Sequence, residues 1–317
     1  EEVVEVLAGA RADGLGVVLL GGGGALPPLA PERPFVALST AALSGIDLYE
    51  PGDLTFTAGA GTTLGALEDR LGREGQWLPL DPAGGRARTL GGVVASGLGG
   101  PLQAGFGAIR DQVLGLTVVT GDGRILRLGG RVMKNVAGFD LVRLFVGSVG
   151  RLGVVVSASL RVFPRPRAQR ILLLEGAGDG RLRGALPDAA RAVATAPVVP
   201  SEAVLLRRPA GEVLVVRLTG SEPVLDAEQA RLEEAVGRPF QTAADPERWV
   251  ERMAGRIGEG EGLAARHHGL PASLPERWTA WVAAAPTATL HADVLGGTLR
   301  ARLPADAVDE TVPHRWR

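Results

Sequence analysis

Thr89-Leu90-Gly91-Gly92-Val93-Val94-Ala95-Ser96-Gly97 opens a run of 21 residues without a charge that ends at Ile109. Length alone would let such a run cross a bilayer. Its composition argues otherwise, because Gly91, Gly92, Gly97, Gly99, Gly100, Gly105, Gly107 and Pro101 weaken a helix and would leave backbone groups unsatisfied in lipid. The other uncharged run, Gly14 to Ala30, fails for the same reason: it holds Gly21-Gly22-Gly23-Gly24 and Pro27-Pro28. No transmembrane segment is expected, and both runs read as glycine loops. The first directly follows the apolar strand Val17-Val18-Leu19-Leu20, and a third loop stands at Gly147-Ser148-Val149-Gly150-Arg151-Leu152-Gly153. Residues without a Cβ let the chain approach closely and aim backbone N–H groups at a bound anion. One glycine run alone reads as a tight turn, whereas three within the first 166 residues point to a common ligand. The first two together suggest a pyrophosphate cradle.

Other phosphate and nucleophile motifs are missing. A P-loop needs Gly-x-x-x-x-Gly-Lys-Ser/Thr, and Lys134, the only lysine, lacks that context. Gly59-Ala60-Gly61 is followed by Gly65, one residue too late for a Rossmann fingerprint. Neither Ser96 nor Ser148 is flanked as the serine of a hydrolase elbow would be.

The chain of 317 residues has room for about two domains, each with its own core. Lys+Arg 34 against Asp+Glu 35 gives a net charge of −1, which offers no basic footprint for nucleic acid. With Cys 0 there is no disulfide and no cysteine-ligated iron–sulfur cluster in this sequence, so any such cluster would sit on a partner. Gly 46 is about twice the usual share, and 32 of these glycines precede Pro166.

Around the loops, residues 1–12 read as a helix and 35–38 and 54–58 as strands, and Thr63 caps a helix that runs to Glu74. Residues 89–109 read as one long loop. Val113 to Thr120 and Gly123 to Leu128 form a hairpin around Gly121-Asp122-Gly123, residues 139–145 a short helix, and 153–163 a long strand ended by Pro164 and Pro166. Beyond that proline pair the expected order is a strand at 170–175, a helix at 181–196, strands at 203–207 and 212–219, and a helix at 224–236. Residues 246–285 read as helical, and 289–302 as a hairpin turned at Gly296-Gly297. That order fits an open antiparallel sheet with helices on one face.

The first glycine loop, Leu80-Asp81-Pro82, the 89–97 segment, Gly107-Ala108-Ile109-Arg110-Asp111-Gln112-Val113-Leu114-Gly115 and Gly147 to Val155 resemble the FAD domain of the vanillyl-alcohol oxidase/PCMH-type flavoproteins. Val132-Met133-Lys134-Asn135-Val136-Ala137-Gly138-Phe139-Asp140-Leu141 is most similar to the FAD-binding subunits of glycolate oxidase. The resemblance is specific over residues 1–166 and loose beyond. It implies an α+β flavoprotein, with a PCMH-type FAD-binding domain over 1–166 followed by a smaller antiparallel-sheet α/β cap domain over 167–317 for substrate or partner. Carried over residue by residue, it places Gly21, Gly22, Gly23, Gly24, Ala25, Asp81, Pro82, Thr89, Leu90, Gly91, Gly92, Ala95, Ser96, Arg110, Gly147, Gly150 and Val155 around FAD. Many relatives tether the flavin through a histidine or cysteine; here the first histidine is His267 and there is no cysteine, so non-covalent FAD is expected. Lys134 reads as a solvated loop charge, with a place near the flavin or a partner as the alternative.

A catalytic constellation is not legible. His267-His268 reads as a surface pair without a metal-ligand set, and no metal is expected. His291 reads as a sheet histidine sooner than a base, Trp249, Trp278 and Trp281 as core or interface anchors, and Arg207-Arg208 as a strand-end pair. The function implied is the FAD-binding subunit of a glycolate (2-hydroxy acid) oxidase/dehydrogenase complex. In it, hydride passes from substrate to FAD and electrons leave through a second flavoprotein subunit and an iron–sulfur subunit. The alternatives are a structural or electron-relay subunit that binds FAD without oxidising substrate itself, and a stand-alone flavin-dependent oxidoreductase. The implied location is cytoplasmic, peripheral to the inner membrane where partner subunits hold it there.

Overall fold

The computed structural model of the chain describes residues 1–24, 34–130, 140–176, 185–208, 211–254 and 262–304. The chain divides into two compact units, residues 1–100 with 107–165, and residues 101–106 with 166–317.

The first unit begins with α1 (Glu2–Ala12), β1 (Gly16–Leu20) and β2 (Phe35–Ser39), the two strands pairing in parallel. Then come β3 (Ile46–Glu50), β4 (Thr55–Gly59), α2 (Leu64–Gly72), β5 (Gln76–Trp77) and α3 (Leu90–Ser96). After α4 (Gln103–Phe106), which belongs to the second unit, the chain continues through α5 (Ile109–Gln112), β6 (Val113–Val119), β7 (Ile125–Gly129), α6 (Leu141–Phe145), β8 (Val154–Arg161) and β9 (Phe163–Pro164). The five-stranded sheet runs β3-β4-β8-β6-β7, antiparallel throughout. Its buried face, with Phe56, Leu116, Val118 and Leu160, packs on Leu64, Leu67 and Leu71 of α2 and Leu90, Val93 and Val94 of α3. A smaller core joins Val3 and Leu7 of α1 to Leu38, Val119 and Val154.

The expected hairpin at Gly121-Asp122-Gly123 joins β6 and β7, and Thr63 caps α2 by accepting from the Ala66 N–H at 3.2 Å. The strand β3 was not foreseen, because Asp47 and Glu50 break its apolar pattern. The 89–109 segment is not one loop. Thr89 caps α3, Gly97 ends it in a left-handed conformation at φ 68°, and the apolar residues 90, 93 and 94 bury one stripe. Burial of that stripe outweighs the roughly 1 kcal/mol that each of Gly91 and Gly92 costs a helix.

The second unit continues with β10 (Ala168–Glu175), α7 (Ala185–Thr195), β11 (Glu202–Arg208), β12 (Gly211–Gly220), α8 (Glu222–Val236), β13 (Gln241–Thr242), α9 (Pro246–Met253), β14 (Gly262–His268), α10 (Leu274–Ala284), β15 (Thr289–Asp293) and β16 (Thr298–Pro304). Its seven-stranded sheet runs β13-β10-β12-β11-β15-β16-β14, again antiparallel. Two expectations change here. Residues 262–268 form an edge strand on β16, not a helix. Helices also cover both faces: Leu186, Leu232 and Trp278 of α7, α8 and α10 pack on Leu172, Leu174 and Leu205, while Met253 of α9 packs on Ile171, Leu173, Val204 and Leu206 from the opposite side.

Candidate functional site

Three glycine segments far apart in sequence meet in the first unit. The N–H groups of Gly22 and Gly92 both donate to Thr89 Oγ1, at 3.3 Å each, which ties the end of β1 to the start of α3. The Gly147 and Val149 N–H groups donate to the carbonyls of Val94 and Ala95 at 3.0 and 2.8 Å, which ties the third loop to the other end of α3. Close approach explains the glycines: a Cβ on Gly21 would stand 2.6 Å from Thr89 Oγ1, one on Gly91 2.6 Å from Ala60 Cβ, and one on Gly150 2.7 Å from Leu19 Cδ1.

The segments line a groove that opens to solvent, with a cavity volume of about 100 Å³. Of the residues that sequence placed around the cofactor, Gly21, Gly22, Gly23, Gly24, Thr89, Gly91, Gly92, Ala95, Ser96, Gly150 and Val155 line it. The others do not. Leu90 is wholly buried in the core beneath α3, and Gly147 serves by its bond to Val94. Asp81 is buried, its N–H donating to the Gly99 carbonyl at 2.9 Å, and Pro82 is buried beside it. The Arg110 side chain is 64% exposed, 3.9 Å from Asp111. Ala25 and Lys134 lie outside the described residues.

The groove also takes Leu19, Leu20, Thr40, Arg88, Val149, Gly153 and Val154, which sequence reasoning had not assigned. The apolar ones continue strands or loops already singled out, so adjacency in sequence could have found them. Arg88, directly before Thr89, shared that adjacency, but nothing in the sequence distinguished it from the exposed Arg86.

These residues fit a dinucleotide diphosphate. The first-turn amides of α3 are already engaged, Leu90 N–H with the Thr62 carbonyl and Gly91 N–H with that of Ala60, both at 2.8 Å. Gly23 and Gly24 line the groove with backbone N–H groups that donate to none of the described residues. Leu19, Val149, Val154 and Val155 give apolar walls, and Arg88 is the one ionised group among the described lining residues. An anion sits best where amides and a cation converge, and flat rings sit best against the apolar walls.

In the second unit, His291 is buried on the α9 side of the sheet. Its Nε2–H donates to the Met253 carbonyl at 2.8 Å, and Nδ1 has no hydrogen-bond partner among the described residues. Burial, with Arg300 and Arg208 adding to it, pushes its pKa down to about 4. Asp293, two residues on, accepts from the Gly296 N–H at 2.8 Å, and burial pushes its pKa up. His267 and His268 stand on the edge strand, His268 Nδ1 lying 3.0 Å from Thr298 Oγ1. Arg207 is paired with Glu212 at 2.7 Å, and Trp278 belongs to the core. Among the described residues no group of three or more His, Cys, Asp and Glu could hold a metal, and no helix is long and apolar enough to cross a membrane.

Comparison with known proteins adds three kinds of likeness. A family described as FAD binding domain matches residues 1–129. Glycolate oxidase subunit GlcE of Escherichia coli (strain K12) is 51% identical over 132 residues, 41% of this chain and 38% of that protein. A D-lactate dehydrogenase of Archaeoglobus fulgidus is 35% identical over 175 residues, 55% of this chain and 39% of that protein. Glycolate oxidase subunit GlcD of Bacillus subtilis (strain 168) is 39% identical over 121 residues, 38% of this chain and 26% of that protein. The chain thus matches well under half the length of each of these relatives. In fold it resembles alkyldihydroxyacetonephosphate synthase, with TM-score 0.74 at 17% identity over 95% of this chain and 68% of that one. Chitooligosaccharide oxidase gives TM-score 0.71 at 16% identity, over 99% and 75%. Residues 1–129, which contribute two of the three loops around the groove, match the family described as FAD binding domain, and that match supports FAD as the cofactor.

Proposed function

We propose that the chain is the FAD-binding subunit of a glycolate (2-hydroxy acid) oxidase or dehydrogenase complex. The observation that carries this reading is the 51% identity to a glycolate oxidase subunit, on a chain whose glycine segments converge on one groove. Similarity to D-lactate and D-2-hydroxyglutarate dehydrogenases supports the wider class, FAD-dependent oxidation of 2-hydroxy acids. Bound FAD supplies the acceptor for the hydrogen on the substrate's hydroxyl-bearing carbon. The chain's own part is to hold the diphosphate with amides and a cation, and to shield the cofactor from water with apolar walls. FAD is held non-covalently, since residues 1–166 contain neither histidine nor cysteine. Electrons leave through partners, a second flavoprotein subunit and an iron–sulfur subunit. The complex is cytoplasmic, peripheral to the inner membrane through those partners.

The placement of His291 favours a second reading, in which the chain relays electrons or supports the complex while another flavoprotein subunit oxidises the substrate. Its Nε2 is engaged with Met253 inside the sheet, which leaves the most plausible base of the second half out of use. One experiment separates the two. The FAD-loaded chain is mixed without oxygen with glycolate or D-lactate, alone and with its partner subunits, and flavin absorbance is followed. Bleaching of the isolated chain supports the first reading and sinks the second. Bleaching only with partners present favours the second, and none in either case rejects both.

A further inference from the structure

Arg86 and Arg88 stand two residues apart and meet opposite fates. Arg86 is exposed and answered by two acids, Glu68 and Asp69. Arg88 is 5% exposed, and no described acid lies within ion-pair distance of it. A largely buried arginine that faces an open groove with no acid beside it among the described residues offers its charge to an anion there. Its backbone is pinned, the N–H donating to the Gly85 carbonyl at 3.1 Å and the carbonyl accepting from Leu64 N–H at 2.8 Å. From there the side chain reaches the groove beside the first glycine loop. A Cβ on Gly24 would collide with Arg88 Nη1 and stand 3.2 Å from Cδ and 3.3 Å from Cζ, so the guanidinium lies against the Gly24 backbone. The first-turn α3 amides being engaged elsewhere, the Gly23 and Gly24 amides, which donate to none of the described residues, and this guanidinium form one donor cluster.

We propose that Arg88 binds the diphosphate of FAD, its planar fork completing the cradle that Gly23 and Gly24 begin. The guanidinium offers parallel donors to two phosphate oxygens and a positive charge to a dianion. Arg88 therefore makes the site selective for diphosphate-bearing ligands over the bare isoalloxazine. The inference rests on the FAD assignment and on neither substrate nor partner.

The test is equilibrium binding of FAD, ADP and riboflavin to the flavin-free full chain, with melting temperatures taken in parallel. Arg88→Gln is expected to weaken FAD and ADP by about ten- to a hundredfold and to leave riboflavin unchanged. Arg88→Lys, which keeps the charge and loses the fork, is expected to fall between. The flavin-free Arg88→Gln chain should melt no lower than wild type, because a largely buried charge with no acidic partner among the described residues has been removed, while its gain in melting temperature with FAD shrinks. Gly24→Ala gives a second route: its Cβ displaces the guanidinium, and FAD affinity falls although residue 88 is intact. Unchanged FAD affinity in Arg88→Gln overturns the proposal, as does an equal loss for FAD and riboflavin. A lower melting temperature of the flavin-free variant with no selective loss of FAD and ADP also overturns it, by showing a structural role. A wild-type chain that binds ADP but not FAD strikes at the FAD assignment instead, and one that binds neither overturns both.

Discussion

Val149 adopts φ 55°, a left-handed conformation that costs a β-branched residue about 1–3 kcal/mol, and its side chain is 57% exposed on the rim of the groove. Little packing is lost on trimming it. Val149→Gly is therefore expected to leave the flavin-free protein as stable or up to about 2 kcal/mol more stable, after the roughly 0.5–1 kcal/mol of glycine entropy. Urea unfolding measures this, and a clear loss of stability would show that the position is unstrained. Thr89 is the counterpart that sequence already marked as a site residue. Its hydroxyl serves Gly22 and caps α3 at Gly92, so Thr89→Ala should cost about 1 kcal/mol or somewhat more, while Thr89→Ser, which keeps the oxygen, should cost much less.

At the scale of elements, the contact between β4 and α3 decides whether the groove has a floor. Gly91 is where the helix meets the strand end, and a Cβ there would press on Ala60 Cβ and, at 3.0 Å, on the Ala60 carbonyl. Gly91→Ala should destabilise by about 1–3 kcal/mol, since rigid backbone has to move. Gly24→Ala should cost far less, because its obstacle is the flexible end of Arg88. In the seven-stranded sheet, His291 titrates far below its unfolded value. Its contribution is complete above about pH 6.5 and is lost as pH falls from there through about 4, up to roughly 3 kcal/mol. Asp293 acts in the opposite direction, since a carboxyl raised by burial takes up its proton sooner in the folded state. His291→Gln can keep a donor toward Met253 and does not titrate. Melting temperatures between pH 7 and 5 should fall less steeply in this variant than in wild type, and parallel curves would reject the assignment. Much of this layer was legible beforehand. The Asp-Gly hairpin and the Thr63 cap stand where local chemistry put them, yet α3 reads as a loop until the burial of Leu90, Val93 and Val94 is seen. The strand β14 has no strong apolar alternation, and pairing with β16 makes it one.

For the whole molecule, the proposed non-covalent retention of the cofactor has a direct test. Acid precipitation of the purified flavin-loaded protein should release the yellow chromophore into the supernatant, and flavin remaining in the pellet would reveal a tether. The two compact units divide the chemistry of the sequence unevenly. The glycine-rich half builds the groove, while the histidines of the described residues all stand in the other unit. How far that second unit takes part in oxidation is what the anaerobic mixing experiment measures.

By itself the sequence determined the local rules: where glycine permits close approach, where threonine caps a helix, which runs are apolar enough for core strands, and that the first 166 residues hold neither histidine nor cysteine. Each depends on neighbours along the chain. The tertiary structure decided what converges. Arg86 and Arg88 look alike in Gly85-Arg86-Ala87-Arg88-Thr89, but the 3₁₀ turn at Gly85–Ala87 ends between them. One faces acids 17 and 18 residues earlier in the chain, and the other passes inward to the Gly24 loop. Burial and pairing are set by contacts between distant segments, and a charge acquires its meaning only from the groups the fold brings against it.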